Sequence, residues 1–348
     1  MEHQRSSHNP QSAATRLRNL LARDDIIVCP GVYDGLTARI ALQQGFECLY
    51  MTGAGTAASR LGMPDLGIVT LNDMLDNASM IASLDRSIPL IADADTGYGG
   101  PIMVGRTVKS YIAAGIAGLH LEDQVQTKRC GHLTGKELVD EDVFYSRIRA
   151  AVLARDEMRR TCGGDIVLIA RTDSLQSSGY DASIRRLKKA VEIGADVAFL
   201  EGPTSIEQCR QVCADLTPTP VLLNIVPGGV TPKVSAAKAK ELGFQIVIHP
   251  GLALVSVLHS VNETFAELKS TGDVTVDEAK ESAKGVFKHF PAANSLLGLM
   301  QQNVSLQQLS LPICPDMVPI ARALTSKPAH SVLSCFDIFS LYLSRISA

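Results

Sequence analysis

The feature that most constrains this chain is a unit that recurs four times: a helical pattern ends at a glycine, and a short apolar run follows within a few residues. The copies are QQGFECLYMTG (43–53), AAGIAGLHLED (113–123), EIGADVAFLEG (192–202) and ELGFQIVIHPG (241–251). A glycine after the last helical turn is the left-handed cap that a helix-to-strand loop needs. Apolar runs of this kind are buried on both faces, as parallel strands are. Four more runs, DIIVCPG (25–31), IPLIADAD (88–95), DIVLIARTD (165–173) and PVLLNIVPG (220–228), bring the strands to eight, each followed by a helical stretch. Strand and helix alternating eight times predict an α/β fold of the TIM (β/α)8 barrel type. At 348 residues, 46% of them hydrophobic, the chain can fill such a barrel and carry extensions. The rival is a doubly wound open sheet. Its dinucleotide-binding form calls for GxGxxG after an early strand, and neither CPGVYDG nor MTGAGTAAS has that spacing.

A barrel enzyme carries its reactive groups at the C-terminal ends of the strands. Those ends here hold Thr52, Asp93, Asp95, Glu122, Asp123, Arg171, Asp173, Glu201 and Asn224. The plain alternative is that each polar residue caps the helix that follows; so many charges on one rim favour a site. Asp93 and Asp95 stand two positions apart, which on a strand points both into the barrel mouth. A divalent cation would relieve their repulsion, and all-oxygen donors select a hard ion, Mg²⁺ with Mn²⁺ possible. Because Mg²⁺ keeps several waters, one carboxylate is expected to bind directly and the others through water. Glu122 and Asp65, the latter in RLGMPDLG, are candidates for the outer positions.

The long loop EDQVQTKRCGHLTGKELVD (122–140) follows the fourth strand. It sets Cys130 among Lys128, Arg129 and His132, and positive neighbours favour the thiolate. A thiol so placed can exchange a proton with a substrate carbon, and Gly131 lets backbone N–H groups approach an oxyanion. The plain alternative is a surface cysteine in a basic turn.

Together, MTGAG, GMPDLG, DADTGYG, LHLEDQ, KRCGH, IARTD and FLEG resemble the isocitrate lyase and phosphoenolpyruvate mutase superfamily over roughly residues 20–275. The resemblance implies a barrel whose eighth helix is exchanged with a neighbouring subunit, in a homotetramer built as a dimer of dimers. It implies Mg²⁺ bound through Asp95, with Asp65, Asp93 and Glu122 acting largely through water. It also implies an enolate intermediate. Thr52, Gly53 and Ala54 would hold one carboxylate beneath Tyr50, and Arg171 would clamp a carboxylate and stabilise the enolate. Cys130 would protonate the departing carbon, Gly131 and His132 would contact a second carboxylate, and Glu201 and Asn224 would complete the polar ring.

Within the superfamily, CGHLTGKEL is similar to the group of 2,3-dimethylmalate lyase, petal death protein and oxaloacetate acetylhydrolase, and the small-carboxylate substrate is expected to be a 2-alkylmalate or methylisocitrate. The alternative is oxaloacetate hydrolysis; a phosphonate-forming mutase would have a different lid sequence, and an inactive acid-binding relative would not need the whole set. The hydrolases carry a serine near the end of the last strand, where this chain reads VIHPG with Pro250. Relatives also tend to have a glutamate near Pro227, which is missing here.

The remaining features exclude more than they assign. A net charge of −3 without basic runs or tryptophan gives no nucleic-acid surface. No segment reads as a membrane span, and His120, His249 and His259 are not clustered as zinc ligands would be. His120, inside an apolar strand, reads as a satisfied core histidine. Eight scattered cysteines without a CxxC pair suit a reducing, cytoplasmic setting, with a mitochondrial transit segment as the alternative for the polar, arginine-containing N-terminus. The expected organisation is a flexible leader over 1–20, a catalytic barrel over 21–275, and a divergent helical extension over 276–348.

Overall fold

The computed structural model describes residues 11–131 and 135–274. Its centre is a closed, all-parallel barrel in which strands pair in chain order and the eighth closes on the first. The strands are β1 (Ile27–Val32), β2 (Leu49–Met51), β3 (Leu90–Asp93), β4 (Gly118–Glu122), β5 (Val167–Thr172), β6 (Val197–Leu200), β7 (Val221–Asn224) and β8 (Ile246–His249). Register across the closure pairs Ile27 with Ile246 and Pro30 with His249. All eight predicted strands are present, and the TIM barrel reading holds.

The helices are α1 (Ala13–Leu21), α2 (Gly35–Gln43), α3 (Gly53–Thr56), α4 (Leu71–Leu84), α5 (Pro101–Ala114), α6 (Glu141–Cys162), α7 (Leu175–Ile193), α8 (Ile206–Leu216), α9 (Ala236–Leu242) and α10 (Leu252–Thr271). A π-helical turn, Ala57–Leu61, continues α3. The four glycines of the recurring unit, Gly45, Gly115, Gly194 and Gly243, all have positive φ, from 80° to 124°. The left-handed conformation read from the sequence is the one that reverses the chain between helix and strand.

Two apolar layers hold the barrel. Outside, helix residues such as Met74, Val108, Phe144 and Leu187 pack on the outward side chains of the strands. Inside, Ile27, Ile91, Ile169, Phe199 and Ile248 fill the interior together with Leu17. Leu17 belongs to α1, so the leader expected to be flexible over 1–20 is helical from Ala13 onward, with residues 1–10 outside the described part. Ser12 caps it by accepting from the Thr15 N–H. Arg18 on the same helix donates to Asp165 at 3.1 Å and to Asp196 at 2.9 Å, residues that precede β5 and β6. α1 therefore closes the N-terminal mouth of the barrel and leaves the C-terminal mouth for chemistry. The expected extension over 276–348 lies outside the described residues. No helix among the described residues is long and apolar enough to cross a membrane.

Candidate active site

The helix-capping alternative fails for the rim carboxylates. Among the described residues the side-chain N-caps are Ser12, Asp34, Thr52, Thr70, Ser205 and Ser235, so of the named rim residues only Thr52 caps a helix. The carboxylates instead turn inward and are buried.

Asp93 ends β3, and its carboxylate accepts the Gly53 N–H at 3.2 Å and the Asp95 N–H at 2.9 Å. Gly53 thus spends on Asp93 the main-chain donor expected to face a substrate carboxylate. Asp95 lies beyond the strand with a left-handed φ of 44°, so strand alternation does not explain its direction; the tight turn after β3 does. Burial opposes ionisation of Asp93, but His120, Lys128, Arg171 and the Asp95 N–H outweigh it and hold the group at about 2. At Asp95 burial wins: with repulsion from Asp93 and Asp65 it overrides the pull of Lys128 and lifts the group to about 7.

Lys128 was read from the sequence only as a positive neighbour of Cys130. Its buried ammonium instead lies between carboxylates, 2.7 Å from Asp65 Oδ1 and 2.5 Å from Asp95 Oδ1. Glu122, fully buried at the end of β4, has no hydrogen-bond partner on either carboxylate oxygen among the described residues. Burial pushes it well above the usual carboxylate range, against the pull of Arg171 and Lys128.

Arg171, at the end of β5, is the shared counter-ion of three carboxylates. Its Nε and Nη2 donate to Asp173 at 2.9 and 3.0 Å, Nη1 lies 3.2 Å from Glu122 and Nη2 lies 3.4 Å from Glu201. The fork expected to clamp a substrate carboxylate is therefore engaged by Asp173, a residue the sequence placed on the rim without a role. Asn224, at the end of β7, donates to Glu201 at 3.0 Å. Below this ring, Tyr50 OH meets His120 Nε2 at 2.8 Å, and Arg171 stands over the Phe199 ring. His120 is a core histidine as expected but is only half satisfied: Nε2 is bonded, while buried Nδ1 has no hydrogen-bond partner among the described residues and lies 3.6 Å from Asp93 Oδ1. Burial pushes it down to about 4, so it is neutral at pH 7.

The loop after β4 is tied to this floor. Gln124 binds both the N–H and the carbonyl of Arg129, at 3.1 and 2.9 Å, and the Cys130 N–H donates to the Asp65 carbonyl at 3.2 Å. A Cβ on Gly131 would collide with the Arg171 guanidinium and lie 2.8 Å from Glu201 Cγ. Cys130 and Gly131 are thus brought to the ring formed by Asp65, Asp95, Glu122, Arg171 and Glu201. Thr52 and Ala54 stand beside it at the start of α3. His132 lies outside the described residues.

Around the mouth, among the described residues, six carboxylates (Asp65, Asp93, Asp95, Glu122, Asp173, Glu201) face three cations (Lys128, Lys136, Arg171). The excess of buried oxygen donors, with Glu122 Oε2 held only by the Arg171 ion pair and Oε1 without a partner among the described residues, fits a hard divalent cation. No cluster of three or more His, Cys, Asp or Glu is gathered at metal-binding distance among the described residues; a site with one direct carboxylate and water-mediated partners requires none.

The family model for phosphoenolpyruvate phosphomutase matches residues 17–269. A 2,3-dimethylmalate lyase of Eubacterium barkeri is 35% identical over 288 residues, covering 83% of this chain and 95% of that protein. A 2-methylisocitrate lyase of Aeropyrum pernix is 39% identical over 256 residues, covering 74% and 80%. Among solved structures, 2,3-dimethylmalate lyase in a trigonal crystal form is 52% identical with a TM-score of 0.80, covering 87% of this chain and 99% of that one. Oxaloacetate acetylhydrolase in complex with 3,3-difluorooxalacetate is 49% identical with a TM-score of 0.80, covering 85% and 98%. Phosphonopyruvate hydrolase, 26% identical with a TM-score of 0.72 over 84% and 99% of the two chains, was solved with oxalate and Mg²⁺.

Proposed function

This chain belongs to the phosphoenolpyruvate mutase and isocitrate lyase superfamily, and from that membership and the rim geometry we propose a Mg²⁺-dependent carbon–carbon lyase of 2-hydroxy dicarboxylic acids. The observation that carries the reading is the buried carboxylate ring, in which carboxylates outnumber cations and Glu122 has only the Arg171 ion pair on Oε2 and no partner on Oε1 among the described residues, lying under the Cys130–Gly131 backbone. Asp95 would hold the ion directly, with Asp65, Asp93 and Glu122 reaching it through water; Mn²⁺ has the same donor preference. Bound there, the ion supplies positive charge opposite the substrate's carboxylate and hydroxyl oxygens.

The chain's own groups account for the rest. For a 2-alkylmalate, the C2 hydroxyl proton passes to the carboxylate ring, the C2–C3 bond breaks, and C2 becomes the carbonyl of a 2-oxo acid. The bonding pair stays on C3 as the enolate of the second carboxylate. Arg171 stabilises that charge, and the Cys130 thiol gives its proton to C3, releasing a saturated acid. Thr52 and Ala54 hold one substrate carboxylate, Gly131 and His132 the other, and Glu201 and Asn224 orient the hydroxyl side. The closely packed loop keeps bulk water from the enolate.

Pro250, directly after β8, favours an alkylmalate over oxaloacetate. It is packed against β1, where a Cβ on Gly31 would lie 2.5 Å from Pro250 Cα, and it offers neither a hydroxyl nor an N–H to a hydrated ketone. The likeness to oxaloacetate acetylhydrolase keeps hydrolysis to oxalate and acetate as the second reading. We also infer a homotetramer in which α10 crosses to a neighbour, and a reducing cytoplasmic setting in keeping with cysteines that form no disulfide among the described residues. The test is a proton NMR time course with Mg²⁺ and, separately, 2,3-dimethylmalate, 2-methylisocitrate and oxaloacetate, with EDTA controls. Pyruvate from an alkylated acid is the expected outcome. Acetate from oxaloacetate alone would make the protein the hydrolase, and no turnover of any acid would overturn the lyase reading.

A further inference from the structure

Lys136 lies six residues after Cys130, and its side chain is 6% exposed. Its ammonium donates to the Gly131 carbonyl at 2.6 Å and to Asp173 Oδ1 at 3.3 Å. A buried ammonium is costly unless its donors are paired, and here two of its three donors join the loop to the barrel rim. The Asp173 end is firmly set. The Asp173 N–H donates to Asp123 Oδ1 at 2.9 Å, and Asp123 in turn accepts from Thr172 at 2.5 Å and Arg186 at 3.2 Å. Asp173 also holds Arg171.

We propose that Lys136 is a positioning residue: it pins the Cys130–Gly131 backbone to Asp173 and so fixes the thiol relative to Arg171. Two other ties of this backbone among the described residues, through Gln124 to Arg129 and through the Asp65 carbonyl to Cys130, are neutral hydrogen bonds. Lys136 adds an ionic one, which is the stronger kind. The functional side of the proposal rests on Cys130 as proton donor; the tether itself does not.

The test is site-resolved alkylation of the native full-length protein by iodoacetamide, without substrate, using exposed Cys162 as internal standard and buried Cys209 as the reporter of unfolding. Lys136→Met keeps the aliphatic stem and removes the charge. The Cys130 rate relative to Cys162 should rise about tenfold or more, the scale of one charge-assisted hydrogen bond. Lys136→Arg should stay near wild type. A lysine that acted only as a nearby positive charge would give the opposite sign, because its loss disfavours the thiolate and slows alkylation. An unchanged or slower ratio in Lys136→Met therefore overturns the proposal. If Cys209 shows that this variant unfolds, Lys136→Gln is read by the same ratio. In turnover, Lys136→Met should lose about tenfold in kcat/KM, with most of it restored by Lys136→Arg. Alkylation needs no substrate, so a wild-type enzyme that cleaves none of the three acids would end the lyase reading while the ratio still judges the tether.

Discussion

Serine in place of Cys130 keeps a hydroxyl where the thiol stood but is a far weaker acid. Cys130→Ser should therefore lower kcat by about 10²- to 10⁴-fold, the range for loss of a general acid, while product affinity stays near wild type in a calorimetric titration. Unchanged turnover would remove the proton-donor role. Lys128→Met leaves Asp65 and Asp95 facing each other without their buried cation, and breaking such a pair costs about 3–5 kcal/mol. The variant should melt lower than wild type, and added Mg²⁺ should raise its melting temperature more than that of wild type. Binding to the folded state stabilises by about 2.7 kcal/mol at a hundred times Kd. An equal or smaller Mg²⁺ response would count against a cation site between these carboxylates. Asp65, Asp95, Glu122, Arg171 and Glu201 were legible because motifs and strand ends marked them. Lys128 was not, since consecutive basic residues in a loop give no sign of which one turns inward. That depends on where the buried carboxylates sit, which is a tertiary fact.

At the scale of elements, the barrel was legible because each αβ turn needs a left-handed glycine and each parallel strand needs an unbroken apolar run; both demands are local. α1 was not, because Ala14 and Leu17 are its only buried positions, too few to show a helical period in a polar segment. Its role is tested by Leu17→Ala, which opens space in the barrel interior and should cost about 2–5 kcal/mol in urea unfolding. A change under about 0.5 kcal/mol, the size of a surface substitution, would mean that α1 does not plug the barrel. Arg18→Met tests the same helix through pH. Burial opposes ionisation of Asp165, but hydrogen bonds from Arg159 and Arg18 prevail and hold it below the usual carboxylate range. A depressed carboxylate contributes stability above its unfolded pKa, and that contribution is lost as pH falls through the folded one. The stability gap between wild type and Arg18→Met should thus be full at pH 7 and narrow below about pH 4. A gap independent of pH would assign the effect of Arg18 to packing alone.

The whole molecule poses a different demand, set by α10. A helix that covered its own barrel would bury a stripe at every third or fourth position, yet this helix of 20 residues has no buried residue. Leu258 and Phe265 are 61% and 66% exposed, and Val255, Val261 and Leu268 are exposed beside them. Apolar surface of that extent on one helix is a poor match for water and a good one for a second copy of the chain. Exchange of an identical element between subunits satisfies both copies at once. The proposed exchange entered the reading of the sequence only through the family resemblance, because an apolar helix reads the same whether it covers its own barrel or a partner's. Leu258→Glu with Phe265→Glu should therefore reduce the mass in sedimentation equilibrium from that of the proposed tetramer to a smaller species. The far-ultraviolet circular dichroism of the barrel should be kept, because neither side chain contributes to its core. A doubly charged variant that still sediments as wild type would place the assembly interface elsewhere. A wild type that is monomeric at micromolar concentration would remove the exchanged helix altogether.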